Sequence, residues 1–198
     1  MISIELDRTA VLALDLQADI VGRVGEKAVS ALEHAASVLA AARRARLPVI
    51  YVVVGFRPGY PELSKRNALF AAVAQAGRFI SSTPVADIAL PVRPEDGDLV
   101  VVKHRVSAFT GTDLEMILRA KGIDTLVLFG ISTSGVVLST VRHAADADYR
   151  LVVVRDACAD ADEEVHRVLT EKVLARQATV TSASEVAAAF GGLGKRSG

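Results

Sequence analysis

Six short apolar runs alternate along the chain with longer segments in which apolar residues recur every three or four positions. An unbroken apolar run predicts a strand buried on both faces, whereas the longer spacing predicts an amphipathic helix. We therefore predict strands at residues 9–16, 49–54, 99–103, 125–129, 151–154 and 178–181. Helices are predicted at residues 26–46, 64–77, 113–121, 134–146, 162–176 and 185–190.

This alternation indicates an α/β fold, because the connections between strands are too long for hairpins and suit helical crossovers. We expect a three-layer α/β/α arrangement with a six-stranded parallel sheet, since six units are too few for a closed eight-stranded barrel. Residues 81–98 lack a regular pattern. We expect one domain over residues 1–190 and a flexible tail over residues 191–198.

Composition narrows the classes of partner. The 198 residues are 51% hydrophobic, carry a net charge of +0 and include one cysteine. The absence of a basic block argues against nucleic-acid binding, which depends on phosphate neutralisation. The N-terminus has no signal-peptide pattern, and no apolar run is long enough to span a membrane. We expect a cytoplasmic protein without a nucleic-acid or membrane partner.

The fourth apolar run breaks at Gly130 and is followed by small residues before helical spacing resumes, which predicts a tight turn between a strand and a helix. We call residues 130–136 the small-residue turn. Such turns lie at the carboxyl edge of a parallel sheet, where ligands bind. The hydroxyls of Ser132, Thr133 and Ser134 are expected to cap the helix. The N–H groups over residues 132–136 are candidates for holding a substrate anion or a developing oxyanion.

Two charged residues stand at the ends of other strands, Asp15 after the first and Lys103 at the end of the third. The carboxyl edge of an α/β sheet is where an enzyme gathers acid and base groups. Each residue also has a plain structural interpretation, since a strand-end Asp commonly caps the next turn and a strand-end Lys is commonly solvated. Their combination with the small-residue turn favours a functional site.

The chain resembles the isochorismatase-like hydrolase superfamily, also called the cysteine hydrolase family, from residue 10 to about residue 181. The matching segments are Ala-Val-Leu-Ala-Leu-Asp-Leu-Gln ending at Gln17, Val-Val-Lys-His-Arg-Val-Ser-Ala-Phe ending at Phe109, Gly-Ile-Ser-Thr-Ser-Gly-Val-Val ending at Val137, and the later Val-Val-Val-Arg-Asp-Ala-Cys-Ala-Asp. The resemblance implies a Rossmann-type sheet with strand order 3-2-1-4-5-6. It also implies a cis peptide between Ile131 and Ser132.

The site that the resemblance implies consists of an Asp, a Lys and a Cys, and Asp15 and Lys103 match the first two. The Cys belongs six residues after Gly130, where this chain has Val136. Members that hydrolyse amides through a thioester need the thiolate, and Val cannot replace it. True isochorismatases also lack the Cys, have Gly there, and use the Asp as an acid–base group on a vinyl ether. Hydrolysis without a thiol is therefore our first hypothesis, with Asp15 as the acid–base group.

Other nucleophiles and metal ligands are less well placed in the sequence. Cys158 follows the fifth strand and is interpreted as a small buried hydrophobe. The hydroxyls of residues 132–134 have no His at an obvious partner position, so capping is the stronger interpretation. No ligand spacing links the four histidines, and we expect no catalytic metal or cofactor. Two of them, His143 and His166, are expected on helix surfaces; the other two are His34 and His104.

Substrate contacts are expected from the loop residues near these strand ends. Arg57 is a candidate for binding a substrate carboxylate, with a solvated loop Arg as the alternative. Core packing is the alternative for the apolar candidates, which are Ile20, Phe56 and Phe109. From the turn we add Ser132, Thr133 and Gly135. Two functions stay open, a hydrolase of the isochorismatase type and a small-molecule binding protein that has lost catalysis. We expect a homodimer or a higher homo-oligomer.

Overall fold

The computed structural model describes residues 2–80 and 87–191. Its sheet contains six strands, which are β1 (Thr9–Leu14), β2 (Val49–Val54), β3 (Leu99–Lys103), β4 (Thr125–Gly130), β5 (Arg150–Val154) and β6 (Thr179–Thr181). The strand order is β3-β2-β1-β4-β5-β6, and every neighbouring pair is parallel. The predicted sheet and its order 3-2-1-4-5-6 are therefore confirmed.

The strand boundaries differ from the prediction where the backbone leaves the extended conformation. β1 ends at Leu14 instead of residue 16 because Asp15 has a φ of 54°, in the left-handed region that a strand excludes. β4 continues to Gly130, β5 begins already at Arg150, and β6 begins only at Thr179. The bounds of β2 and β3 agree with the prediction.

Seven α-helices accompany the strands in the described part of the chain. They are α1 (Ala18–Val24), α2 (Glu26–Arg44), α3 (Ala68–Gln75), α4 (Leu114–Ala120), α5 (Leu138–Asp146), α6 (Glu163–Val168) and α7 (Ala183–Gly191). α1 is absent from the prediction because none of its residues is buried, so the sequence shows no apolar stripe there. The helix predicted over residues 162–176 is α6 followed by a π-helical turn, Leu169–Val173, and a 3-10 turn, Leu174–Arg176.

The core surrounds the central strands, whose residues in β1, β2 and β4 are all buried. α2 lies against β1, β2 and β4 and also contacts α7, while α5 contacts β5. Among the described residues, no helix combines the length and the apolarity needed to cross a membrane. Residues 81–86 of the predicted irregular segment and residues 192–198 of the predicted tail lie outside the described residues. Gly191, predicted as part of that tail, ends α7.

The register of the central strands brings the predicted strand ends to one edge of the sheet. Leu14 at the end of β1 lies opposite Gly130 at the end of β4, and Val54 at the end of β2 lies opposite Lys103. The Ile131 N–H then donates to the Leu14 oxygen at 3.2 Å. The small-residue turn and Asp15 therefore start from neighbouring positions on the sheet.

Gly130 is required by this close approach of β4 to β1. A Cβ at Gly130 would collide with the Leu14 carbonyl oxygen and lie 2.7 Å from the Leu14 Cβ. We expect Gly130→Ala to lower the free energy of unfolding by roughly 3 kcal/mol, measured by urea denaturation, because both groups belong to the rigid sheet. Gly22→Ala is the matched control, since a Cβ there meets nothing within 4 Å. In helix α1 that change should stabilise by up to about 1 kcal/mol. Equal effects of the two substitutions would contradict the steric account.

Candidate active site

The predicted Asp and Lys form a direct ion pair at the carboxyl edge of the sheet. Asp15 Oδ2 lies 2.9 Å from Lys103 Nζ. The Asp15 N–H donates to the Val52 oxygen at 2.8 Å, which ties the left-handed residue to β2. Lys103 ends β3, so its side chain reaches across β2, and Nζ also donates to the Arg105 oxygen at 3.0 Å. The sheet order therefore brings together two residues that lie far apart in the sequence.

The pair is almost completely removed from solvent, with Asp15 exposed by 6% and Lys103 by 3%. Burial raises the pKa of Asp15 above its usual value, and the charge and hydrogen bond of Lys103 act in the opposite direction. Among the described residues, no group hydrogen-bonds the second carboxylate oxygen, Oδ1. Asp15 therefore has one oxygen held by a cation and one buried oxygen without a hydrogen-bond partner among the described residues.

Gln17 is a supporting residue that sequence reasoning did not single out. Its side chain is 1% exposed and binds both backbone groups of Val54, with Oε1 accepting from the N–H at 2.8 Å and Nε2 donating to the oxygen at 3.0 Å. This contact joins the segment after β1 to the end of β2. The sequence offered one indication of this role, a neutral amide residue two positions after the candidate Asp. A buried amide needs hydrogen-bond partners for both its oxygen and its nitrogen.

The small-residue turn has the backbone that the resemblance implies. The Ile131–Ser132 peptide is cis. Residues Thr133–Val137 form a π-helical turn that leads into α5, and Val136 within it is 3% exposed. Gly135 is close to the start of the turn, because a Cβ there would lie 2.8 Å from Ser132 Oγ. The turn therefore places a buried aliphatic side chain at the position where the resemblance expects a thiol.

The predicted hydroxyl caps of this helix are wrong. No side-chain cap bond is made by Ser132. Instead, the Ser134 N–H donates to Asp160 Oδ2 at 2.7 Å and the Thr133 N–H donates to the Ala159 oxygen at 2.9 Å. The cap comes from the segment after β5, which lies beside β4 in the sheet but follows it by many residues in the sequence. A carboxylate is the stronger acceptor at a helix N-terminus because it also meets the helix dipole.

The predicted substrate-binding side chains are divided between the core and the surface. Phe56 is buried, and the centroid of its ring lies 5.8 Å from the ring centroids of Phe70 and His104. Phe109 is buried and stacks on His143 at 4.8 Å, so its described contacts are those of core packing. Ile20 is partly buried against the same apolar groups. Arg57 is exposed and pairs with Glu62 at 2.7 Å, which agrees with the alternative of a solvated loop residue.

Cys158 has the environment of a structural residue. It is buried, and burial raises the pKa of its thiol to about 12. At neutral pH a thiol with this pKa carries almost no thiolate, the form that attacks substrates. The interpretation as a small buried hydrophobe agrees with these observations.

His143 and His166 lie on helices as expected, but each is half-buried because a neighbouring element covers part of its ring. His143 covers the Phe109 ring, as described above. His166 Nδ1 lies 2.8 Å from Thr133 Oγ1 and so contacts the small-residue turn. The sequence showed their helical spacing but not which neighbouring element covers them.

His166 gives a prediction for the pH dependence of stability. Burial lowers its pKa below 6.5, and nearby Asp160 and Glu163 act in the opposite direction. Below about pH 6.5 the unfolded chain therefore binds a proton that the folded chain does not, so the free energy of unfolding decreases as the pH falls through this range. We expect His166→Gln to flatten this slope in urea denaturation between about pH 5 and about pH 7.5. A variant that keeps the wild-type slope would contradict this assignment.

Within residues 2–80 and 87–191, no group of three or more His, Cys, Asp or Glu side chains is arranged to hold a metal ion. The absence of a metal or cofactor from the reaction stays a prediction.

Comparison with known proteins assigns nearly the whole chain to one family. A family model described as the isochorismatase domain matches residues 9–185. An uncharacterised isochorismatase family protein, YecD of Escherichia coli O157:H7, is 34% identical over 188 residues, which cover 94% of this chain and 98% of that protein. A maleamate amidohydrolase of Pseudomonas putida is 31% identical over 138 residues, which cover 70% of this chain and 64% of that enzyme.

A solved structure supports the same fold. The crystal structure of a cysteine hydrolase from Pseudomonas syringae pv. phaseolicola has a TM-score of 0.86 with this chain, at 24% sequence identity. The match covers 97% of this chain and 96% of that chain. At this identity the likeness is one of architecture.

Proposed function

We propose that this chain, which belongs to the isochorismatase family, is a hydrolase of a small molecule that uses Asp15 as its acid–base group and no cysteine nucleophile. The observation that carries the proposal is the buried Asp15–Lys103 pair with its free oxygen, Oδ1. The amidohydrolase among the relatives supports cleavage of a C–N bond. Cleavage of an ether bond is the other reaction that suits an acid–base group acting alone.

In this mechanism Asp15 moves a proton between water and substrate. For an amide, Oδ1 accepts a proton from a water molecule whose oxygen attacks the carbonyl carbon, and Asp15 then returns the proton to the leaving nitrogen as the C–N bond breaks. Lys103 orients the carboxylate through its contact with Oδ2 and favours the ionised form against the effect of burial.

The oxyanion that forms on the carbonyl needs donors from the small-residue turn. The N–H groups of Thr133, Ser134, Gly135 and Val137 already donate to protein acceptors. Among the described contacts that join this turn to other segments, none uses the N–H groups of Ser132 or Val136, and we propose these two as the donors to the oxyanion. Donors fixed before the reaction stabilise such an oxygen without having to reorganise.

The absence of a nucleophile at Val136 separates this proposal from a thioester mechanism. The side chain of Val has no group that can attack a carbonyl carbon. Cys158, the only cysteine in the chain, has a pKa of about 12. Water is therefore the attacking group in our proposal, and no covalent intermediate forms.

The second candidate is a small-molecule binding protein on the same fold, and Val136 is the observation that favours it. A site that has an aliphatic side chain in place of a nucleophile can bind a small molecule without turning it over. The buried ion pair argues against this candidate, because a charge pair removed from water gives little or no net stability and has no evident use in a protein that only binds.

The test is a panel of small amides, including maleamate, together with esters and vinyl ethers, assayed with wild type and Val136→Cys. Turnover by wild type supports the hydrolase, and binding of small acids without turnover supports the binding protein. Val136→Cys completes the Asp–Lys–Cys set that the resemblance implies, so we expect it to gain amide or ester turnover. Val137→Cys is the matched control, since it places a thiol one position away in the same buried turn. Equal rates for the two variants would contradict the assignment of position 136.

A further inference from the structure

Two residues that follow β5, Ala159 and Asp160, hold the small-residue turn in place, and we call them the brace. Ala159 pairs with Ile131 in a parallel bridge, and its oxygen accepts from the Thr133 N–H at 2.9 Å. One residue later, Asp160 Oδ2 accepts from the Ser134 N–H at 2.7 Å. Three residues of the turn, Ile131, Thr133 and Ser134, are therefore held by two consecutive residues of a neighbouring segment.

The turn's own hydrogen bonds are weaker than those that the brace supplies. The N–H groups of Gly135 and Val137 both donate to the Ser132 oxygen, at 3.2 and 3.3 Å. The bond to Asp160 is shorter by about half an ångström, and its acceptor is charged, which makes such bonds stronger than neutral ones. Asp160 is 8% exposed, so little solvent competes for its oxygens. The position of the turn therefore depends on this carboxylate more than on the turn itself.

A second contact leads from the same side to the same turn. Thr133 Oγ1 lies 2.8 Å from Nδ1 of His166, and Thr133 is completely buried. The side chain of His166 comes from α6, which begins just after the brace. The turn is thus held at two adjacent residues, by Asp160 through the backbone and by His166 through the side chain.

We infer that Asp160 is a positioning residue for the reaction. It fixes the turn that carries Ser132 and Val136, and so sets where their N–H groups meet the substrate oxygen. This role rests on the proposed function, because it concerns the donors assigned there to the oxyanion. Asp160 acts through Ser134 and needs no contact with the substrate.

Hydrogen exchange of the purified chain tests the brace without a substrate. Asp160→Ala is expected to speed amide exchange over residues 131–138 roughly tenfold, the effect of losing one capping bond. Asp160→Asn keeps a side-chain oxygen as an acceptor and should stay within about threefold of wild type. Asp162→Ala is the matched control, because Asp162 caps α6 through the N–H groups of Glu164 and Val165 at 2.9 and 3.2 Å. Its effect should be largest in α6 and, over residues 131–138, much smaller than that of Asp160→Ala, because only His166 links α6 to the turn among the described hydrogen bonds. Equal exchange over residues 131–138 in the two Ala variants would overturn the inference.

Kinetics on a substrate found with the panel test the catalytic part of the role. We expect Asp160→Ala to lower kcat about 10- to 100-fold with KM within about twofold, because misplaced donors weaken the transition state more than substrate binding. Asp160→Asn should restore most of kcat, and Asp162→Ala should lower kcat far less than Asp160→Ala does. A kcat for Asp160→Ala equal to wild type would overturn the inference. A wild type without turnover would overturn the proposed function alone, since exchange still decides whether Asp160 holds the turn.

Discussion

Replacing Asp15 with Asn is expected to lower kcat at least about a thousandfold while the chain still folds, because acid–base groups contribute factors of up to about 10⁴. The carboxamide has almost the same shape as the carboxylate, so its oxygen can still accept from Lys103 Nζ. It cannot take up or release a proton at neutral pH. The loss should therefore appear in kcat and not in substrate binding.

The assay compares initial rates of wild type and Asp15→Asn on the best substrate of the panel, with far-ultraviolet circular dichroism to verify folding. Asp19→Asn is the matched control, because Asp19 lies in α1, is half exposed, and pairs with Arg78 at 2.6 Å. It should retain wild-type rates. If Asp15→Asn turns over substrate as fast as wild type, Asp15 is not the acid–base group.

The second large effect concerns Lys103, whose replacement with Met is expected to lower the free energy of unfolding by about 3–5 kcal/mol. Met fills the space of the aliphatic stem but leaves the carboxylate of Asp15 buried without a cation. The pKa of Asp15, already raised by burial, should then rise further, because Lys103 is the group that lowers it. The folded chain then holds a proton that the unfolded chain has released. The variant should therefore lose stability as the pH rises from about 4 through the folded pKa.

The double variant Asp15→Asn with Lys103→Met separates this effect from a packing defect. Removing both charges leaves no unpaired ion, so urea denaturation should return to within about 1 kcal/mol of wild type. Activity should stay absent, since no group remains that transfers a proton. A double variant as unstable as Lys103→Met alone would show that lost packing, and not the unpaired charge, causes the instability.

The sheet was predictable because its central strands, β1, β2 and β4, are buried on both faces and therefore read as unbroken apolar runs. The periodicity of α2 was equally clear, since its buried residues recur on one face. α1 was not predictable, because a seven-residue helix without buried residues has no apolar stripe. The end of β1 was not predictable either, because it is set by the left-handed conformation of Asp15. That conformation costs free energy for a residue other than glycine, so the sequence alone does not indicate it.

Within the site, the residues at strand ends were easier to predict than their partners. A charge directly after an apolar run is visible in the sequence, and Asp15 and Lys103 were singled out in this way. The contacts that Asp160 and His166 make with the turn were not predicted, because they join segments that are separated in the sequence. The hydroxyls within the turn itself suggested a local helix cap instead. Distant acceptors prevail here since a buried carboxylate binds an N–H group more strongly than a Ser hydroxyl does.

The central claim, hydrolysis by Asp15 without a thiol, is tested most directly by a chain that contains no cysteine. Cys158 is the only one, so Cys158→Ala removes every thiol from the protein. The measurement is the initial rate of Cys158→Ala beside wild type and Asp15→Asn on the same substrate, with rates expressed per folded molecule. The account predicts that Cys158→Ala keeps the wild-type rate and Asp15→Asn loses at least about a thousandfold. An inactive Cys158→Ala that is folded, beside an active Asp15→Asn, would contradict the account.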